Sequence, residues 1–269
     1  MHPRKSIFIT GGASGIGRAI AMRFGREGWC VGLGDIDRPG MDQTCRLIGH
    51  DYIFCYDLDV RDRAAWDEAL DQFSDVAEGR IDVVVNNAGI PLGGMIEEMT
   101  VEEIELCFDV NLKGVFFGAQ AALPHLRKVG SGSCLLNTSS AAGIYGSAGA
   151  SVYSATKFGV RALTEALDGE WAQYGIKVRA LMPSFIDTPL LDHAPHGGAN
   201  EQIRQRVRGA GLEITPVQQV ADAAWQAVHG DKLLWPVGAT ARKLTTAARW
   251  MPGRLRKFAR KRAQVAEGI

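Results

Sequence analysis

The sequence predicts an α/β fold: one domain built on a doubly wound parallel sheet of about seven strands, with helices on both faces. Three observations carry that expectation. Short apolar, β-rich runs alternate with helical stretches, the arrangement that generates βαβ crossovers and a sheet covered on both sides. The first such run passes straight into a glycine-rich turn and then a helical pattern. The second ends in an acid about twenty residues beyond that turn. With 269 residues, 46% hydrophobic content and a formal net charge of zero, the chain can bury one large core, and a separate second domain is not expected.

Strand-like runs are expected at Ser6–Thr10, Val31–Asp35, Tyr52–Tyr56, Val83–Asn86, Cys134–Ser139, Lys177–Met182 and Leu233–Val237. After the first comes Gly11-Gly12-Ala13-Ser14-Gly15-Ile16-Gly17, followed by apolar residues Ile20, Met22 and Phe24 at helical spacing. Gly11 permits the tight turn, Gly15 lets backbone approach a pyrophosphate, and Gly17 allows close packing of helix and strand. A diphosphate then meets free N–H groups and the positive end of a helix dipole. Taken alone, the glycines would serve equally for chain reversal. The Gly-x-x-x-Gly-x-Gly spacing points to a subset of Rossmann-type nucleotide folds. At the end of the second run, the Asp35 carboxylate is placed to accept hydrogen bonds from adenosine ribose hydroxyls and to repel a phosphate. With no cation at Ser14 or Ile36, NAD(H) is expected over NADP(H), although Arg18 and Arg38 lie close in sequence.

Further along, Tyr153-Ser154-Ala155-Thr156-Lys157 sets a phenol and an ammonium one helical turn apart. A lysine cation beside a tyrosine favours the phenolate, and so suits it to exchange a proton with a substrate hydroxyl. Helices also carry such pairs merely for packing and solubility. Ser140 lies thirteen residues upstream, after an apolar run.

Together, Thr10–Gly17, Asp59-Val60, Asn86–Gly89, Asn111, Ser140, Tyr153/Lys157 and Pro183–Thr188 occur in an order that resembles the short-chain dehydrogenase/reductase family, over roughly residues 5 to 236. That resemblance implies catalytic roles for four residues. Tyr153 would be the general acid/base and Ser140 would polarise the substrate oxygen. Lys157 would hold the nicotinamide ribose and lower the tyrosine pKa, and Asn111 would kink a central helix and anchor a water in the proton relay. It also implies cofactor contacts from Gly11, Ser14, Gly15, Ile16, Gly17, Asp35, Asp59 (adenine), Val60, Asn87, Ala88, Gly89, Tyr153, Lys157, Pro183, Ile186 and Thr188, the last two at the nicotinamide carboxamide. Simpler readings stand beside these. Ser139 is an alternative to Ser140, either serine is able to bond backbone only, Asn111 reads also as a helix interrupter, and Asn86-Asn87 as turn residues. Ser184 stands where the family usually has glycine, which puts the Ile186/Thr188 assignment in question. Long helices over Val101–Lys128 and Val152–Tyr174 are where family members commonly form dimers or tetramers.

Specificity is expected from two regions. Between Pro189 and Gly211 the chain turns irregular and reads as a substrate lid or as a mobile surface loop. Thr215 is then expected as N-cap and Pro216 as first residue of a new helix. Ala141–Val152, with Ile144 and Tyr145, is expected to form the opposite wall. Largely uncharged residues there (Ile90, Leu92, Ile144, Tyr145, Leu190, Leu191) suggest an apolar, medium-sized substrate, steroid-like, lipid-like or aromatic.

Residues 1–238 read as the catalytic domain and 239–269 as a basic, helical extension. Arg242–Arg262 holds nine Lys/Arg and no acid, which leaves 21 basic against 30 acidic residues elsewhere. Leu244, Ala248, Met251, Leu255 and Phe258 form an apolar stripe, and Pro252-Gly253 divides it into two short helices. The extension reads as packed on its own body or a neighbouring subunit, or lying on an anionic membrane; nucleic acid is the least favoured partner.

The five cysteines, with no CxxC spacing, read as reduced, mostly buried thiols. Met1–Lys5 enters the first strand at once, and no apolar run reaches about twenty residues, so a cytoplasmic protein is expected. The six histidines show no metal-ligand spacing; His193 and His196 read as loop residues. The expected function is NAD(H)-dependent interconversion of a secondary alcohol and a ketone, without a metal. The alternatives are a sugar or polyol dehydrogenase with the same apparatus, and a non-enzymatic NAD(H)-binding sensor.

Overall fold

The computed structural model describes residues 4–195 and 201–266, with the side chains of Phe258 and residues 261–266 left aside; His196 lies outside the described residues. Seven strands form one parallel sheet: β1 (Ser6–Thr10), β2 (Cys30–Asp35), β3 (Ile53–Asp57), β4 (Val83–Asn86), β5 (Cys134–Thr138), β6 (Lys177–Pro183) and β7 (Leu234–Val237). Their spatial order is β3-β2-β1-β4-β5-β6-β7, with every neighbouring pair parallel. Each expected strand is present, and its ends fall within one residue of the expectation. Val83-Val84-Val85, Leu135-Leu136 and Ile7-Phe8-Ile9 are buried whichever way they point. Such runs are apolar without alternation because helices cover both sheet faces.

The helices are α1 (Gly15–Arg26), α2 (Arg38–Ile48), α3 (Arg63–Val76), α4 (Val101–Phe108), α5 (Gly114–Val129), α6 (Ser151–Trp171), α7 (Ile203–Gly209), α8 (Val217–His229), α9 (Ala239–Trp250) and α10 (Pro252–Ala266). On one face, Ile20, Ala21 and Phe24 of α1, Met41 of α2 and Val220, Ala224 and Ala227 of α8 close over the sheet. On the other, Trp66, Leu70 and Phe73 of α3, Ala122 and Leu126 of α5 and Leu167 and Trp171 of α6 do the same. Phe8 is the hub of that second core, with its ring 5.5 Å from Phe73 and 6.3 Å from Trp66. Burial of each large aliphatic or phenyl side chain among them stabilises the fold by about 1.5–3 kcal/mol.

Chain order reverses between β1 and β4, and ligands of open parallel sheets bind at the carboxyl ends beside such a reversal. The glycine turn follows β1, Asn87-Ala88-Gly89 follows β4, Ser140 follows β5 and Pro183 ends β6. Motifs far apart in sequence thereby share one rim.

The expected helix over Val101–Lys128 runs as α4, a π-helical turn at Asp109–Lys113, and α5. The π turn holds Asn111, fully buried, at its centre. One expectation fails at the start of α8. Thr215 is not the N-cap: Pro216 takes that position. Thr215 is spent on a short parallel bridge to Ile186, accepting from Asp187 N–H (2.9 Å) and donating its own N–H to Phe185 (2.8 Å). Tertiary pairing outbids the local cap.

Among the described residues of the segment expected to be irregular, a 3₁₀ turn spans Pro189–Asp192 and α7 spans Ile203–Gly209. The basic segment forms two helices, broken at Met251-Pro252. Leu244 and Ala248 of α9 pack on Ile144, Met182 and Ala241, whereas Met251 remains exposed. No helix among the described residues is long and apolar enough to cross a membrane.

Candidate active site

The glycine turn builds a cradle. Gly11 (φ +69°) and Gly15 (φ +53°) adopt left-handed backbone that side chains resist. A Cβ on Gly17 would collide with the Gly11 carbonyl oxygen and Asn87 Nδ2, so Gly17 lets the start of α1 pack against the residues that leave β1 and β4. Helices α2, α3 and α4 are capped by Asp37, Asp62 and Thr100 side chains, but Ser14 caps α1 without a side-chain bond. The first-turn N–H groups of α1, including those of Ile16 and Gly17, are thus left to an anionic ligand.

Asp35 ends β2 beside this turn; its Oδ2 accepts from Ala13 N–H (3.0 Å) and its Oδ1 from Asp37 N–H (3.1 Å). Arg18 donates to Ala13 O, Thr44 Oγ1 (3.0 Å) and Gln43 Oε1 (2.9 Å). Arg38 faces Asp42 (3.3 Å) and Asp57 (3.5 Å). Asp59, expected at the adenine, is clamped by Arg61 at 2.6 Å, which holds its carboxyl below the usual range. Val60 is buried, its carbonyl taken by Trp66 Nε1 (3.1 Å).

After β4, Asn87 Nδ2 donates to Thr10 O (2.9 Å), and the backbone N–H groups of Asn87 and Ala88 both donate to Thr10 Oγ1 (3.0 and 3.1 Å). One hydroxyl on β1 thus fixes the β4 loop against the glycine turn. At Gly89 a Cβ would press on the site, 3.1 Å from Asn111 Oδ1 and 3.5 Å from Lys157 Nζ. Asn111 receives Ile90 N–H on Oδ1 (2.8 Å) and donates Nδ2–H to Ile90 O (2.9 Å). That two-point clasp joins the π turn to the β4 loop.

The serine pair divides its work. Ser139 is buried and donates to Lys157 O (2.8 Å), tying β5 to α6, whereas Ser140 accepts from Ala142 N–H (3.1 Å) and turns its hydroxyl toward the Tyr153 phenol. Lys157 Nζ donates to Thr138 O (3.0 Å) and sits 5.6 Å from the Tyr153 ring centroid. Asn111, Ser140, Tyr153 and Lys157 therefore converge on one point at the β4–β5 rim. Thr10 and Thr138 hold this arrangement, yet neither role was legible from local sequence, because both depend on partners at least nineteen residues away.

The titration of the pair differs from the sequence expectation. Burial pushes Tyr153 up to about 12, with the neighbouring Ser140 hydroxyl opposing, and burial brings Lys157 down to about 8. Burial is the larger influence on the phenol. Desolvation penalises both charged forms, and the ammonium is turned to the Thr138 carbonyl.

On the nicotinamide side, Thr188 faces Gly15, 3.4 Å from where its Cβ would stand. Ile186 points its side chain into the core and offers only backbone to the rim. Ser184 has no positive φ; its hydroxyl donates to Val237 O (3.2 Å), so it leaves the Pro183 side unstrained. Arg204 of α7 binds Asp187 and Asp192, both at 2.5 Å, and the Thr188 carbonyl at 3.2 Å, latching α7 to the segment beyond β6. Gly93 N–H to Pro195 O (2.7 Å) and Gly94 N–H to Gly149 O (2.8 Å) join three loops above the rim. The apolar wall is thinner than expected: Ile144 is buried against α9, Leu92 in a small core with Cys107 and Val152, and Leu191 is buried as well. Ile90, Tyr145 and Leu190 stay partly accessible.

Comparison with known proteins follows the same lines. The profile of the family described as short chain dehydrogenase matches residues 5–197. The chain is 39% identical over 201 residues to 3-oxoacyl-[acyl-carrier-protein] reductase FabG of Thermotoga maritima, covering 71% of this chain and 78% of that protein. It is 34% identical over 231 residues to the NADP-dependent (R)-specific alcohol dehydrogenase of Lentilactobacillus kefiri, covering 84% and 88%. A short-chain dehydrogenase structure from Streptomyces avermitilis superposes with a TM-score of 0.82 at 29% identity, covering 100% of this chain and 99% of that one.

Proposed function

The chain belongs to the short-chain dehydrogenase family and is an oxidoreductase; from that premise we propose that it interconverts a secondary alcohol and a ketone with NAD(H). The observation that carries this reading is the chain of neighbours Asn111 and Lys157 beside Gly89, Lys157 beside the Tyr153 ring and Tyr153 beside Ser140, near the uncapped start of α1. A non-enzymatic sensor has no use for that set.

The residues present suit a nicotinamide dinucleotide. Gly11, Gly15, Ile16 and Gly17 with the start of α1 would hold its diphosphate, Asp35 its adenosine ribose, Asp59 and Val60 the adenine edge, and Asn87–Gly89 the underside. Tyr153 and Lys157 would hold the nicotinamide ribose, with Pro183, Thr188 and Ile186 backbone at the carboxamide. NAD over NADP is supported by the Asp35 charge and by Arg18, whose guanidinium is spent on α2 and the turn. When bound, the oxidised ring accepts the carbinol hydrogen as hydride. The protein does the rest. Ser140 holds the substrate oxygen, Tyr153 as phenolate takes the hydroxyl proton, and Lys157 stabilises that phenolate once ligand charge and hydrogen bonds offset its burial. Asn111 keeps the π turn and Ile90 fixed, and so the floor of the site.

Ile90, Tyr145 and Leu190, all uncharged, favour an apolar secondary alcohol. Exposed Leu106, Phe108 and Phe116 on α4–α5 and Phe158 on α6 favour a homodimer or homotetramer built through these helices. A panel of secondary alcohols and ketones, followed by absorbance of the reduced nicotinamide with NAD(H) and NADP(H), tests the reading. Turnover that prefers NAD(H) is the expected result; no turnover of any member by a protein that binds the dinucleotide would favour the sensor instead.

A further inference from the structure

Cys45 of α2 and Cys55 of β3 place their sulfur atoms 2.9 Å apart. No sequence spacing announces the pair, because nine residues, with a left-handed turn at Gly49, lie between them. The other three cysteines are buried: Cys30 opens β2, Cys107 lies beside Asn111 and Cys134 opens β5. Cys45 and Cys55 are half-buried on the adenosine-side edge of the sheet, where β3 has a neighbour on one side only. An oxidant in solution therefore reaches them and not the others.

We propose that Cys45 and Cys55 form a reversible dithiol–disulfide pair that cross-links α2 to the edge strand β3, with a low-molecular-weight disulfide such as oxidised glutathione as the oxidant. The Cys45 thiolate attacks one sulfur of that disulfide, whose S–S bond breaks and releases one glutathione thiol. Cys55 then gives up its proton and attacks the Cys45 sulfur, releasing the second glutathione. Two electrons pass from the protein thiols to the oxidant, and both thiol protons end on the two glutathione molecules. Cys45 is the attacking partner: a hydrogen bond with Cys55 holds its pKa below the ordinary thiol value, and Arg38 adds in the same direction. Cys55 is raised by the same contact and by burial, and so serves as the resolving thiol. Cys30, pushed up to about 11 by burial, and Cys134, to about 12, stay protonated. This chemistry does not depend on the dehydrogenase reading.

The test uses the full-length protein, folded, treated with oxidised glutathione and analysed by intact mass and by peptide mapping after thiol blocking. Trypsin cleaves after Arg46, between the two cysteines, so a bond joins peptides 27–46 and 47–61. Expected is a loss of two hydrogen masses, a linked peptide pair whose fragments place the bond on Cys45 and not on Cys30, and full reversal by dithiothreitol. Cys45→Ser is expected to abolish the link; Cys55→Ser is expected to leave a stable glutathione adduct on Cys45. An unchanged wild-type mass, a persistent glutathione adduct on the wild type, or a link that survives Cys45→Ser would overturn the proposal.

Discussion

Lys157 makes a measurable claim about stability, because its ammonium is buried in the native protein and free in water when unfolded. Its pKa falls from 10.5 to about 8 on folding, chiefly by desolvation. The unfolded chain therefore binds more protons than the native one between those values, and stability rises with pH across that window. Below pH 8 the full cost of the buried charge is present, about 3 kcal/mol; by pH 10 roughly 2–3 kcal/mol of it is recovered. Lys157→Met removes the titration but also leaves the Thr138 carbonyl without its 3.0 Å donor, at a cost of about 1–3 kcal/mol that does not vary with pH. Urea unfolding of both proteins at pH 7 and pH 10, each carrying Cys107→Ser so that the one thiol facing the ammonium does not titrate with it, isolates the charge. The stability of the wild type relative to Lys157→Met is expected to rise by about 2–3 kcal/mol between those pH values. A difference constant to within about 0.5 kcal/mol would refute the buried-ammonium argument, since measured differences between variants resolve that much. The same cost is what dinucleotide binding has to offset, so this residue spends stability on readiness for the reaction.

Tyr153→Phe is expected to lower kcat by about 10²–10⁴-fold while dinucleotide binding, followed by protein fluorescence, persists; retained turnover would reject the acid/base assignment. Asp35→Asn keeps an oxygen for the Ala13 N–H but loses the charge that repels a phosphate, and the ratio of kcat/KM for NADP to that for NAD is expected to rise by about tenfold or more, roughly 1.4 kcal/mol. Asn111→Leu strands the Ile90 N–H and carbonyl, an expected loss of about 2–4 kcal/mol read from the urea midpoint. Arg204→Ala frees α7 from Asp187, Asp192 and the Thr188 carbonyl. Substrate KM is expected to rise while thermal stability changes little, and an unchanged KM would show that the latch does not shape the substrate site.

Strands were legible because a run buried on both faces is apolar without interruption, as in Val83-Val84-Val85. The cradle was legible because a positive φ at Gly11 and Gly15 restricts the residue type directly. Helix α7 was not: in Ile203–Gly209 only Val207 is buried, and the segment is held by Arg204 ion pairs instead of an apolar stripe. Residue type alone places Ile144 and Leu92 in a pocket wall, but hydrophobicity does not say which apolar neighbour covers a side chain. Here α9 covers Ile144, and a small core encloses Leu92.

Local sequence determined which groups this protein carries and on which elements: a phenol and an amine on one helical face, serines at a strand end, glycines where backbone has to approach a ligand. The tertiary structure decided how those groups behave. Parallel pairing between β1 and β4 gathers them at one rim, Thr10 and Thr138 fix them there, and burial reverses the expected shift of Tyr153. Periodicity and conformational restriction act within a few residues, whereas solvation depends on every element folded around a charge.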